Sequence, residues 1–79
     1  MKITIESTSK IVEMRPSFAR DPIPCRVWEG FTESGIRLHA FISRVAVLES
    51  EDTSQFDREL LETRAPSEDT LAIPMRMIL

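Results

Sequence analysis

The chain has 79 residues, a formal net charge of −3 and an apolar share of 42%. A chain this short buries only about 60% of its extended surface, so we expect one small domain over residues 1–79 that gains stability as a homo-oligomer. With one cysteine, Cys25, and one histidine, His39, the chain has no intrachain disulfide and no zinc finger. A protein-only metal site would need several carboxylates, so no metal and no cofactor are predicted.

The unpaired thiol and the absence of an apolar leader at the N-terminus predict a reducing, cytoplasmic setting. No stretch reaches the roughly 18 apolar residues of a membrane-spanning helix. Charge is uneven: residues 1–48 hold seven Lys/Arg against five Asp/Glu, a balance of +2, whereas residues 49–69 hold two Arg against eight Asp/Glu, a balance of −6. An acidic chain neutralises few phosphates, so direct nucleic-acid binding is not expected.

The N-terminal third alternates β-branched and polar residues. This pattern predicts short strands over residues 2–6 and 10–14, with a turn at the Ser/Thr run 7–9 between them. Residues 15–24 contain three prolines, which remove backbone donors and therefore predict a loop. Phe18 in this loop is a candidate anchor for a partner protein.

Residues 25–48 contain two β-rich runs, and Ser34-Gly35 between them is a two-residue turn signal. A long central hairpin follows, in which Trp28 pairs with Phe41. Alternation then divides the side chains between two faces. A core face carries Val27, Phe31, Ile36, Leu38, Ala40 and Ile42, and a second face carries Arg26, Trp28, Arg37, His39 and Phe41.

Residues 52–64 are predicted to form the one clear helix. Asp52 is its candidate N-cap, with Gln55 three residues later in a capping-box pattern. A narrow apolar stripe makes the helix amphipathic and predicts that it covers the core face; the stripe is Phe56, Leu60 and Leu61. The apolar residues 73–79 predict a final strand. The expected fold is α+β: an antiparallel sheet of four to five strands with one helix packed on one face.

The second face of the hairpin is the candidate ligand site. A planar ligand would stack on Trp28 and Phe41 while Arg26 and Arg37 bind its phosphates or carboxylates and His39 contacts it. The same patch has two structural alternatives, a second core layer or a subunit interface.

An enzyme is not expected. The predicted register places Cys25 and His39 on opposite faces, and no third residue orients such a pair. The acidic segment offers a different function, since Glu51, Asp52 and Asp57 could contact a basic protein surface. A solvated helix without a partner is the alternative explanation of the same charges.

The order of these features resembles small uncharacterised accessory proteins of phages and prophages. The resemblance rests on Cys25-Arg26-Val27-Trp28-Glu29-Gly30, Ser34-Gly35-Ile36, Arg64-Ala65-Pro66-Ser67 and the 73–79 ending. It implies an anti-defence role, in which the protein sequesters a nucleotide messenger or inhibits a host defence protein. A structural component of a virion or its assembly is the third possibility.

Overall fold

The computed structural model describes residues 1–15, 17 and 20–67, and this part of the chain forms an antiparallel sheet with one helix. The strands are β1 (Ile3–Met14), β2 (Ile23–Thr32) and β3 (Arg37–Ile42), in the order β1-β2-β3, and the helix α1 spans Thr53–Leu60. The small α+β class is confirmed, but the described residues hold three strands and not four or five. The predicted strand 73–79 and Phe18 lie outside them.

β1 is one strand with an irregularity, so the predicted turn at residues 7–9 is wrong. Pairing with β2 is interrupted between Ser7 and Ile11, where residues 8–10 lie opposite Val27 alone. The Thr8 hydroxyl donates to the Val27 carbonyl at 2.7 Å and accepts from the Lys10 amide at 3.3 Å. A hydroxyl side chain thus satisfies backbone groups that the ladder leaves unpaired, and the strand bulges instead of reversing.

The turn between β2 and β3 has three residues, 33–35, and not the two that we predicted. The Gly35 amide donates to the Thr32 carbonyl at 3.0 Å with φ of 90° at Gly35, and the Ile36 amide donates to the Thr32 hydroxyl at 3.1 Å. A turn closed by a glycine with positive φ is typical of three-residue hairpin loops. The extra residue shifts the predicted register by one, so the pairs are Phe31–Arg37, Gly30–Leu38, Glu29–His39, Trp28–Ala40, Val27–Phe41 and Arg26–Ile42.

The shift redistributes side chains between the two sides of the sheet. We call one side of the sheet the Glu29 face; it carries Cys25, Val27, Glu29, Phe31, Arg37, His39 and Phe41. We call the opposite side the Trp28 face; it carries Arg26, Trp28, Leu38, Ala40 and Ile42. The described hydrophobic core is small, with Cys25 at 5% and Val27 at 1% exposure. The predicted core face is therefore wrong, and its former members Phe31 and Ile36 are exposed.

β2 extends further toward the N-terminus than expected. It begins at Ile23, and Pro24 pairs with Glu13, so the loop ends before residue 24.

Further along β2, Gly30 is required by a close approach of β1, because a Cβ there would lie 1.8 Å from the Thr4 carbonyl oxygen. The backbones of β1 and β2 therefore lie unusually close together at this end of the sheet.

Helix α1 is shorter than the predicted 52–64. Its N-cap is Asp52, as predicted, whose side chain accepts from the Gln55 amide at 3.0 Å. The Gln55 side chain does not complete a capping box; it accepts from Arg58 instead. No residue of α1 is buried, and Leu61, beyond its end, is 83% exposed, so the expected apolar stripe covers little of the sheet.

Candidate functional site

The five residues predicted to form one ligand-binding face do not lie together. Arg26 and Trp28 are on the Trp28 face, whereas Arg37, His39 and Phe41 are on the Glu29 face. The one-residue shift of β3 moves every β3 side chain to the other side of the sheet relative to β2. Within one copy of the chain, the five residues therefore cannot enclose one ligand.

A groove on the Trp28 face brings a different set together. It has a volume of about 280 Å³ and lies between the sheet, the start of the segment after β3, and α1. We call it the α1 groove. Its lining is mostly apolar with two guanidinium groups, and consists of Ile11, Pro24, Arg26, Trp28, Ile42, Ser43, Arg44, Val45, Phe56 and Leu60.

Two aromatic side chains reach the α1 groove from different elements. Trp28 comes from the central strand, and Phe56 comes from α1, where it is the only half-buried residue. Phe56 and Leu60 are four residues apart and so lie on one side of the helix. The groove thus has an aromatic group on the sheet and another on the helix, an arrangement suited to a flat ring.

The two arginines of the groove differ in their bonding. Arg26 is half-buried, and its Nη1 donates to the Thr8 carbonyl oxygen at 2.8 Å, which ties it to the bulge of β1. Arg44 is exposed and has no hydrogen-bond or ion-pair partner among the residues the structure describes. Arg44 is consequently the guanidinium group available to an incoming anion.

A second polar site lies on the Glu29 face. Glu29 is 6% exposed, and its carboxylate accepts from Arg64 Nη1 at 2.5 Å and from the Ser67 hydroxyl at 3.0 Å and amide at 3.2 Å. His39 Nε2 lies 3.7 Å from the same carboxylate. We call these four residues the Glu29 cluster. A buried carboxylate with several donors is a satisfied structural anion.

The Glu29 cluster fastens the segment after α1 to the sheet. The Ser9 amide donates to the Arg64 carbonyl at 2.8 Å, and the Arg64 amide donates to the Ser7 carbonyl at 3.3 Å, so Arg64 forms a parallel bridge with the bulged part of β1. Its side chain also pairs with Glu6 at 3.1 Å. The cluster therefore holds residues 64–67 against the central strand β2, and Arg64 also ties them to β1.

Electrostatics agree with this anchoring role. Burial raises the pKa of Glu29, but the hydrogen bonds from Arg64 and Ser67 together outweigh it, so the pKa lies below its ordinary value of 4.5. The bonds to Glu29 and Glu6 in turn raise the pKa of Arg64. Both groups stay ionised at neutral pH, and neither is poised for proton transfer.

The residues predicted to contact a partner protein have unequal surroundings. Glu51 and Asp57 are exposed, whereas Asp52 caps α1, and its bonds from Ser54 and from the Gln55 amide lower its pKa. An open cleft near β1 is lined by Glu6, Ser7, Glu62, Thr63 and Arg64, but its cation, Arg64, is already paired with Glu6 and with Glu29. No candidate metal cluster and no helix long and apolar enough to span a membrane occur in the described part of the chain.

Sequence reasoning missed Arg44 and the Glu29 cluster. Glu29 continues the alternation of Cys25 and Val27, so a carboxylate in a buried series was a signal for an internal ion pair. Arg44 had no such signal, because its place in the groove depends on which face α1 covers. No protein family, curated protein or solved structure matches the chain.

Proposed function

We propose that the protein binds a small planar anion in the α1 groove without converting it. The observation that carries the proposal is the convergence of Trp28, Phe56 and Arg44 on one groove. Aromatic groups stack on flat rings, and a guanidinium group binds phosphate or carboxylate with two parallel hydrogen bonds. The groove, at about 280 Å³, lies near the lower end of ligand pockets, roughly 300–1,000 Å³, which favours a small nucleotide-like ligand with one planar base.

Binding without chemistry agrees with the surroundings of the groove. Its lining contains the Ser43 hydroxyl but no carboxylate, histidine or cysteine, so it offers no general base that would activate a nucleophile. The resemblance to phage accessory proteins supplies a biological setting for such a module. By sequestering a nucleotide messenger, it would lower the free concentration that a host defence system senses.

Thermal melting against linear and cyclic nucleotides tests the proposal. A ligand at 100 times its dissociation constant adds about 2.7 kcal/mol, which raises the midpoint of a domain this size by roughly 10 °C or more. Light scattering on the same samples tests the expected homo-oligomer. A flat response to the whole panel would refute the function.

A matched pair of variants locates the site. Phe56→Ala removes the helix side of the groove, whereas Phe41→Ala removes a similar half-buried ring on the Glu29 face. Each ligand-induced shift is measured from the variant's own midpoint. Loss of the shift in Phe56→Ala alone supports the α1 groove, and loss in Phe41→Ala alone would return the site to the Glu29 face.

Contact with a basic protein surface is the second candidate function. The segment around α1 exposes carboxylates beside large apolar side chains, among them Glu51, Asp57, Leu48 at 71% and Leu61 at 83% exposure. Acidic charge steers association and the apolar groups supply contact area. A host protein that is captured by the wild type, and released by the double variant Glu51→Gln/Asp57→Asn, would favour this function.

A further inference from the structure

We infer that the α1 groove selects ligands with one planar ring system, single or fused, and one anionic group, and that Arg44 is the residue that selects them. This inference rests on the proposed function and specifies its ligand class. Arg26 has a different role as a positioning residue that shapes the wall of the groove. Ligands with several phosphates are disfavoured.

The different roles of Arg26 and Arg44 follow from their hydrogen bonds. Arg26 donates a hydrogen bond from Nη1 to the Thr8 carbonyl oxygen at 2.8 Å, and Thr8 is 0% exposed. Releasing Arg26 toward a ligand would leave a buried carbonyl without that donor, at the point where the β1 ladder is already interrupted. Arg44 has no described partner to give up. Binding of an anion to Arg44 therefore breaks no bond of the folded protein, whereas turning Arg26 Nη1 toward the anion would break one.

The charge of the segment that forms one side of the groove limits the ligand to few negative groups. Residues 43–63, which carry Arg44 and α1, hold six carboxylates against two arginines, a balance of −4, although none of these carboxylates lines the groove itself. One phosphate or carboxylate at Arg44 is compensated, but each further phosphate adds repulsion from this acidic segment. The repulsion weakens binding of polyphosphates and falls as salt screens it.

Titration calorimetry with four probes tests the selectivity. The probes are adenosine, AMP, ATP and the aromatic carboxylate anthranilate. We expect AMP to bind about tenfold or more tightly than adenosine, since a charge-assisted bidentate contact is added. ATP binds more weakly than AMP, with a gap that narrows at high salt. Equal binding of anthranilate identifies ring and anion as sufficient, and binding of AMP alone identifies phosphate as the anion.

Three substitutions, each of which replaces one arginine with glutamine, test the roles of the individual arginines. In Arg44→Gln, AMP loses its advantage over adenosine while adenosine affinity is kept. In Arg26→Gln, the melting temperature falls but the ratio of AMP to adenosine affinity is retained in the folded protein. Arg37→Gln, on the Glu29 face, leaves the ratio of AMP to adenosine affinity unchanged. The ratio is informative even if one variant is less stable.

Two results overturn the inference while leaving the function intact. One is binding of ATP at least as tight as that of AMP at low salt. The other is an AMP-to-adenosine ratio that survives in Arg44→Gln. If adenosine, AMP, ATP and anthranilate all fail to bind, and the wider nucleotide panel leaves the melting temperature unchanged, the proposed function itself is refuted.

Discussion

Replacing Glu29 with glutamine tests the anchoring role of the Glu29 cluster. The change keeps the shape of the side chain but puts an amide donor where Arg64 and Ser67 also donate. Loss of a hydrogen bond to a charged group costs about 1.5–3 kcal/mol. The Arg64 side chain is 42% exposed, and solvent screening reduces its share toward the roughly 0.2–1 kcal/mol of an exposed pair. We expect a net loss of about 2 kcal/mol in the free energy of unfolding.

Glu6→Gln is the matched control. Glu6 pairs with the same guanidinium group at 3.1 Å, but its side chain is 72% exposed, so we expect a loss below about 0.5 kcal/mol. Urea unfolding followed by the single tryptophan, Trp28, measures both variants. By thermal melting, Glu29→Gln lowers the midpoint by about 10 °C. Similar losses in the two variants would contradict the anchoring role, because burial is what separates them.

The pH dependence of stability provides an independent check. Since the pKa of Glu29 lies below its ordinary value of 4.5 in the folded protein, the unfolded chain takes up the proton first as pH falls. Its contribution is complete above this ordinary value and is lost as pH drops through the lower folded pKa. The difference in unfolding free energy between wild type and Glu29→Gln should therefore shrink below pH 4.5. A constant difference over that range would count against the assignment.

Two further substitutions test the sheet, and a third, Gly35→Ala, is the control for the second. Thr8→Val keeps the volume but removes the hydroxyl bonded to the Val27 carbonyl at 2.7 Å; it should cost about 1–3 kcal/mol in urea unfolding, and an unchanged midpoint would show that the bulge does not need this bond. Gly30→Ala places a Cβ 1.8 Å from a backbone oxygen of β1 and should cost about 3 kcal/mol. An added Cβ at Gly35 meets no atom within 4 Å, so Gly35→Ala should lose only about 1–2 kcal/mol, the backbone strain that a φ of 90° imposes on alanine. Equal losses in unfolding free energy for Gly30→Ala and Gly35→Ala would contradict the close approach at Gly30.

Local signals predicted the parts of the fold that depend on neighbouring residues. The antiparallel pairing of β2 with β3 and the Asp52 cap follow from turn and capping chemistry within a few residues. The register did not follow, because Gly35 fits both a two-residue and a three-residue loop. The bond from the Ile36 amide to the Thr32 hydroxyl decides between them, and it is a side-chain detail that alternation of apolar residues does not encode.

The candidate site was less predictable because its residues are brought together by tertiary packing. Glu29 and Ser67 are separated by 38 positions, and no spacing rule links them. Trp28 and Arg26 were identified correctly as neighbours on one face. Their actual companions, Arg44 and Phe56, follow only once the helix is known to lie beside the Trp28 face.

The bridge between β1 and Arg64 also bears on how the chain folds as it is synthesised. Contacts such as that of Ser7 with the Glu62 carbonyl span 55 positions, and such distant contacts form late. Until residue 64 emerges, this edge of β1 exposes unpaired backbone that could pair with another growing chain. Its centre, residues 6–10, is Glu-Ser-Thr-Ser-Lys, without an apolar side chain. The polar centre of β1 therefore disfavours aggregation of this edge before the segment around Arg64 has been synthesised.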